Sequence, residues 1–129
     1  MYFPILRGRQ FELLALRECV SKNILSNQII PIVEPVKVSS TYTKTVDSFI
    51  KAEKLIAIIR NPQVGSWIKD SKRESNAKTF QQACEQLKNS SIISSFYVTP
   101  NLEACINLAA KNGVSIDSLL LLCTSPEYV

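Results

Sequence analysis

The stretch Ile29-Ile30-Pro31-Ile32-Val33-Glu34-Pro35-Val36-Lys37 decides the fold class. Its apolar residues are near-continuous rather than alternating, so a strand at Ile29–Val33 has no solvent face. Strands buried on both faces belong to parallel sheets covered by helices. The stretch ends in an acid followed by proline. Proline has no amide to give the ladder and stops the strand, while holding the residue before it extended.

Four further runs read the same way: Tyr2–Leu6, Leu55–Ile59, Ile92–Val98 and Ser118–Cys123. Successive runs start 27, 26, 37 and 26 residues apart, about one strand-plus-helix unit each. Between them, apolar residues recur at helical spacing over Arg9–Lys22, Thr41–Lys54, Ser75–Lys88 and Asn101–Lys111. Ser39 and Ser40 offer caps to the second helix, and Gly113 ends the fourth. The order β-α-β-α-β-α-β-α-β implies an α/β fold with a parallel sheet and right-handed crossovers. Two architectures fit: a partial TIM-like (β/α) barrel, and a five-stranded open doubly wound sheet. A complete eight-stranded barrel needs about 200 residues or more. The 129 residues therefore read as one domain, either a barrel cut short or a complete open sheet, and the pattern alone does not choose between them. Either architecture leaves a strand edge or apolar face in need of cover, which predicts self-association or a second protein chain.

Composition narrows the chemistry. Hydrophobic residues make up 46% of the chain, which suits a folded core. No apolar run approaches the ~18 residues of a membrane helix. Met1–Arg7 lacks the basic region and apolar length of a signal peptide, so a cytoplasmic location is expected. Cys19, Cys84, Cys105 and Cys123 are widely spaced and read as packed thiols rather than a zinc site or disulfide framework. The sequence has no histidine. That removes Ser-His-Asp and Cys-His catalysis and every His-ligated metal site, and no metal or cofactor is expected.

Polar residues stand before proline at four strand ends: Glu34-Pro35, Asn61-Pro62, Thr99-Pro100 and Ser125-Pro126. In parallel α/β folds the carboxyl edge is where ligands bind. Charge collects there too. Arg7, Arg9, Lys37, Arg60, Lys69, Lys72 and Arg73 face only Glu34, Asp70 and Glu74, and the other eight bases and eight acids cancel. The net charge of +4 thus falls on one expected edge, suited to nucleotide or nucleic acid. The plainer alternative is a solvated rim. The candidate anion-binding residues are Arg7, Arg9, Lys37, Arg60, Asn61, Trp67 and Arg73. Trp67, the sole tryptophan, either stacks a base or plugs its long loop, Asn61–Glu74, onto the sheet. Arg7-Gly8-Arg9 has too few glycines for a phosphate loop but opens a helix, where amides attract anions. Glu34 is the one catalytic candidate, as an acid–base residue with Arg7 and Arg60 as clamps. A structural ion pair is the simpler reading. Glu34-Pro35-Val36-Lys37 misses the acidic-x-Lys spacing of metal-dependent nucleases by one residue.

The opening Tyr2-Phe3-Pro4-Ile5-Leu6-Arg7-Gly8-Arg9-Gln10-Phe11-Glu12-Leu13-Leu14-Ala15-Leu16-Arg17-Glu18 resembles the start of the beta proteins of phages and bacterial mobile elements. Ile29–Lys37 resembles that family's second block, and Arg60-Asn61-Pro62 with Val64-Gly65 its third. The resemblance implies longer relatives with more βα units, which favours the partial barrel and makes these 129 residues the N-terminal part of a longer barrel-like protein, and it implies a setting of phage–host conflict. It brings no activity and no catalytic residues. It does place Arg7, Glu34 and Arg60 at family-like blocks. Two functions are expected from the whole: a binding module with a basic rim for an anionic ligand, or part of a barrel enzyme acting on a phosphorylated or nucleotide substrate.

Overall fold

The computed structural model describes residues 1–113 and 119–123. The strand starting at Ser118 is therefore described from Leu119, and the expected stop at Ser125-Pro126 lies outside the described residues. The elements are β1 (Ile5–Gly8), α1 (Gln10–Ser21), β2 (Ile32–Pro35), α2 (Ser40–Lys51), β3 (Ile56–Ile59), α3 (Trp67–Ser71), a 3₁₀ turn (Glu74–Asn76), α4 (Ala77–Gln86), β4 (Ile92–Tyr97), α5 (Leu102–Lys111) and β5 (Leu119–Leu122).

All five strands are parallel and lie side by side in chain order. An unreversed order with right-handed crossovers puts every helix on the same face. The packing agrees. Leu13, Leu16 and Val20 of α1, Tyr42, Val46 and Phe49 of α2 and Ala83 of α4 cluster with Val33, Ile56, Ile58 and Ile92. Ala109 of α5 joins the same face through Phe96. Ile32, Ala57 and Ile59, with Ile93, Tyr97, Leu120 and Leu122, form the opposite cluster, on a face that is helix-free among the described residues. This one-sided winding is that of a (β/α) barrel and corrects the doubly wound alternative, which requires a reversal of strand order and helices on both faces. Among the described residues, β1 pairs only with β2 and β5 only with β4, so both are margins of the arc.

Local chemistry explains the element ends. Ser39 caps α2, its Oγ accepting from the Tyr42 amide at 3.2 Å. α1 ends in paired reverse bonds, Asn23 N to Val20 O and Ile24 N to Cys19 O, at 3.1 and 3.0 Å. α2 ends identically, with Glu53 N to Ile50 O and Lys54 N to Phe49 O, at 3.1 and 2.9 Å. These need a left-handed residue, supplied by Asn23 and Glu53, each at φ 54°. Hence α2 stops at Lys51 rather than Lys54. Gly113, at φ 83°, follows α5 as expected. The first strand begins three residues later than its apolar run. Pairing already starts at Tyr2, whose amide donates to Gln28 O at 2.7 Å; the prolines at 4 and 31 break the regular ladder between.

The expected loop Asn61–Glu74 is partly helical and firmly attached. The Ser66 amide donates to Val36 O at 2.7 Å. Buried Asp70 accepts from the Val38 amide at 3.3 Å and Ser66 Oγ at 2.9 Å. Gly65 permits the close approach: its φ is +79°, and a Cβ there would lie 2.4 Å from Val36 O.

Candidate ligand-binding site at the carboxyl edge

Strand alternation decides which strand-end side chains share a space. On β2, Ile32 and Glu34 point to the helix-free face, and Val33 and Pro35 to the helices. On β3 and its continuation, Ala57, Ile59 and Asn61 point to the helix-free face. On β4, Ile93 and Tyr97 do so, with Thr99 two residues on. Arg7 of β1 lies opposite Glu34 in register.

Glu34 is only 2% exposed. Its Oε1 accepts from the Tyr97 hydroxyl at 2.9 Å and its Oε2 from the Gln63 amide at 2.7 Å. A buried carboxyl group without such donors would be strongly destabilising. Asn61 sets up the arrangement. Its Oδ1 accepts from the Tyr97 amide at 2.8 Å and its Nδ2 donates to Tyr97 O at 3.1 Å, so the side chain imitates one more rung of the β3–β4 ladder. Both ends of the Asn61 amide are thereby engaged in positioning Tyr97. Burial, together with the Glu34 hydrogen bond and charge, pushes the Tyr97 phenol up to about 12, against a smaller opposing effect of Arg7. Tyr97 therefore remains a proton donor to Glu34 throughout the neutral range.

These groups surround a cavity of about 300 Å³ lined by Arg7, Glu34, Gln63, Val64, Tyr97, Val98 and Thr99. It presents a cation, a carboxyl group and a hydroxyl within one apolar-walled space, the usual composition of a small-molecule site. A second cleft, of about 390 Å³, lies between the β1–α1 and β2–α2 connections. Arg9, Lys37, Ser39, Ser40 and Thr41 line it with Gly8, Gln10 and Val36, and no acid does. The first turns of α1 and α2 both border it, and helix starts carry partial positive charge.

The remaining residues predicted from sequence go elsewhere. Arg60 continues β3, but its side chain turns to the helix layer among Tyr42, Trp67, Phe80 and Cys84. It is separated from Glu34 by the sheet, so the expected Arg7–Arg60 clamp is not assembled. Trp67 packs edge-on against Tyr42 and Phe80, with centroids 5.0 and 6.1 Å apart. This is the plug reading of that tryptophan, although its rim also lines a groove with Lys69 and Lys72. Arg73 is exposed and stands 4.0 Å from Asp70. Sequence reasoning missed Tyr97 and Gln63. Tyr97 was legible only as a strand residue two positions before the polar Thr99-Pro100 stop. Gln63 acts through its backbone amide, which no side-chain pattern reveals.

Among the described residues, no three Asp, Glu, Cys or His side chains stand together as a metal site. No described helix is long and apolar enough to cross a membrane. No protein-family model, curated protein or solved structure matches this chain.

Proposed function

We propose that this chain is a binding module of the beta-protein kind, acting in the cytoplasm in a phage or mobile-element setting, whose carboxyl edge holds a phosphate-bearing ligand of nucleotide type. The observation that carries this reading is the 390 Å³ cleft, with Arg9 and Lys37 on its walls, two helix starts at its border and no acid among its lining residues. Cations and oriented amides at one concave surface attract phosphate, and the one acid in the first turns of α1 and α2, Glu12, is not among the lining residues. The test is anisotropy of a labelled nucleotide and of a short single-stranded oligonucleotide at low salt. Wild type should bind the nucleotide, and Arg9→Ala/Lys37→Ala should weaken it about tenfold or more, as expected for losing two charged contacts. Undetectable wild-type binding, or an unchanged double variant, would sink the proposal. If the oligonucleotide is the tighter ligand through the same two side chains, its salt slope should be about −1.4, near −0.7 per phosphate contact.

A second reading is favoured by one observation: Glu34 is almost wholly buried yet lines the 300 Å³ cavity with Arg7. Carboxyl groups so placed serve as acid–base residues in barrel enzymes. Here Glu34 would exchange the proton and Arg7 would hold a substrate phosphate. Turnover of phosphorylated sugars or nucleotides that survives Glu34→Gln would exclude this role.

A further inference from the structure

Arg60 leaves β3 with its backbone still in the sheet, its amide donating to Ser95 O at 2.8 Å. Its side chain enters a cavity of about 130 Å³ between the sheet and α2, α3 and α4. Tyr42, Trp67, Phe80, Cys84 and Leu87 form most of the wall. Arg60 Nη1 is fully enclosed and has no hydrogen-bond acceptor among the described residues. Tyr42 is 2% exposed, and its hydroxyl has no hydrogen bond among the described residues.

Among the described residues the guanidinium has no ion-pair partner either. The groups acting on it are Cys84 and Tyr42, while burial disfavours its charge. Burial pushes the Tyr42 phenol well above its ordinary value and raises the Cys84 thiol, in both cases outweighing the pull of Arg60. Both therefore stay neutral at pH 7. No Asp or Glu lines the cavity, and Asp70 of neighbouring α3 is engaged with the Val38 amide and Ser66. A guanidinium carries only donors, in a planar fork that matches oxyanions. The phenol and thiol add two more hydrogen-bearing groups. A cavity of this size corresponds to roughly four water volumes, at about 30 Å³ each. It accommodates a single small oxyanion and is too small for a nucleoside.

We infer that the cavity behind β3 binds a free small oxyanion of phosphate or carbonate size, held by the Arg60 guanidinium and the Tyr42 hydroxyl. This site is separate from the Arg9–Lys37 cleft and does not depend on the ligand proposed there.

Trp67, the only tryptophan, lines the cavity and reports on it. Inorganic phosphate titrated into the protein in a low-salt, non-coordinating buffer should give a saturable change in its fluorescence. Arg9→Ala/Lys37→Ala should keep that response. Arg60→Met should weaken it at least about tenfold, and Tyr42→Phe by a smaller factor, as expected for losing a charged and a neutral hydrogen bond. No saturable change in wild type, or coincident wild-type and Arg60→Met curves, would overturn the inference. A second measurement uses wild type alone, in case Arg60→Met does not fold. Saturating phosphate should slow iodoacetamide alkylation of Cys84, followed by peptide mass spectrometry, and leave Cys19 unaffected. Equal rates at Cys84 with and without phosphate would also overturn it.

Discussion

Replacing Glu34 by alanine removes the acceptor of two hydrogen bonds in one step. One comes from the Tyr97 hydroxyl at 2.9 Å and one from the Gln63 amide at 2.7 Å. Hydrogen bonds to a charged group contribute about 1.5–3 kcal/mol each, so the gross loss is about 3–6 kcal/mol. Two effects reduce it. The variant no longer buries a carboxylate, and the adjoining 300 Å³ cavity lets water reach the orphaned donors. The expected net destabilisation is about 2–4 kcal/mol. With a urea m-value near 1.5 kcal/mol/M, the midpoint should fall by roughly 1.3–2.7 M. Glu34→Gln should cost less, because glutamine keeps one acceptor for the Gln63 amide and can donate to Tyr97 Oη. A double-mutant cycle between Glu34→Ala and Tyr97→Phe should give a coupling of about 1 kcal/mol. Urea unfolding followed by Trp67 fluorescence and far-ultraviolet circular dichroism measures all five proteins. A Glu34→Ala variant as stable as wild type, with no coupling to Tyr97, would refute this reasoning. Glu34 would then be a group retained at a cost in stability, as catalytic residues often are.

Gly65→Ala places a methyl group 2.4 Å from Val36 O at a φ of +79°. Left-handed strain alone costs about 1–3 kcal/mol, so calorimetry should show marked destabilisation, and an unchanged melting temperature would contradict the backbone placement. Phe49 is fully buried where α2 meets the sheet, and Phe49→Ala should cost about 3–5 kcal/mol in chemical unfolding; a loss under about 1 kcal/mol would deny it a core position. Tyr97 titrates near 12 in the folded state and about 10 when unfolded. Its raised value stabilises the fold fully below pH 10, and that contribution is lost as pH rises from 10 towards 12. Wild type should therefore lose stability more steeply than Tyr97→Phe over that interval, and parallel curves would argue against the Tyr97–Glu34 bond. The margins of the arc expose Tyr2, Ile5, Phe11 and Leu121, so sedimentation at high concentration should show self-association; a single monomeric species would mean these edges are tolerated in solution.

Much of the fold was legible because its signals are local. Near-continuous apolar runs specify strands covered on both faces, and helical spacing marks the four long helices. The hidden features are those in which a residue acts against its type. Glu53 and Asn23 take the left-handed helix-ending role that glycine announces openly at Gly113. Helix α3 has five residues, too short for a periodic pattern, and is held instead by Asp70 and Ser66. Sequence spacing could not choose between one-sided and doubly wound architectures, because both alternate strands with helices. Strand order made that choice.

The candidate site shows the same division, and strand alternation explains it. Three of the polar residues before proline, Glu34, Asn61 and Thr99, end on the helix-free face: two line the 300 Å³ cavity and one positions Tyr97. Arg60 is the immediate neighbour of Asn61, and a shift of one residue along a strand reverses the face. It therefore leaves the mouth for the helix layer. Counting charge along the edge treated each strand end as a point and assigned seven bases to one rim. The structure divides them. Arg7 stands with Glu34 in the mouth, Arg9 and Lys37 line the outer cleft, Arg60 lies half-buried behind β3, and Arg73 stands by Asp70. An electrostatic argument from sequence thus becomes predictive only after each charge has been assigned a face. The two anion sites proposed here follow from that assignment, one outside the sheet edge and one behind it.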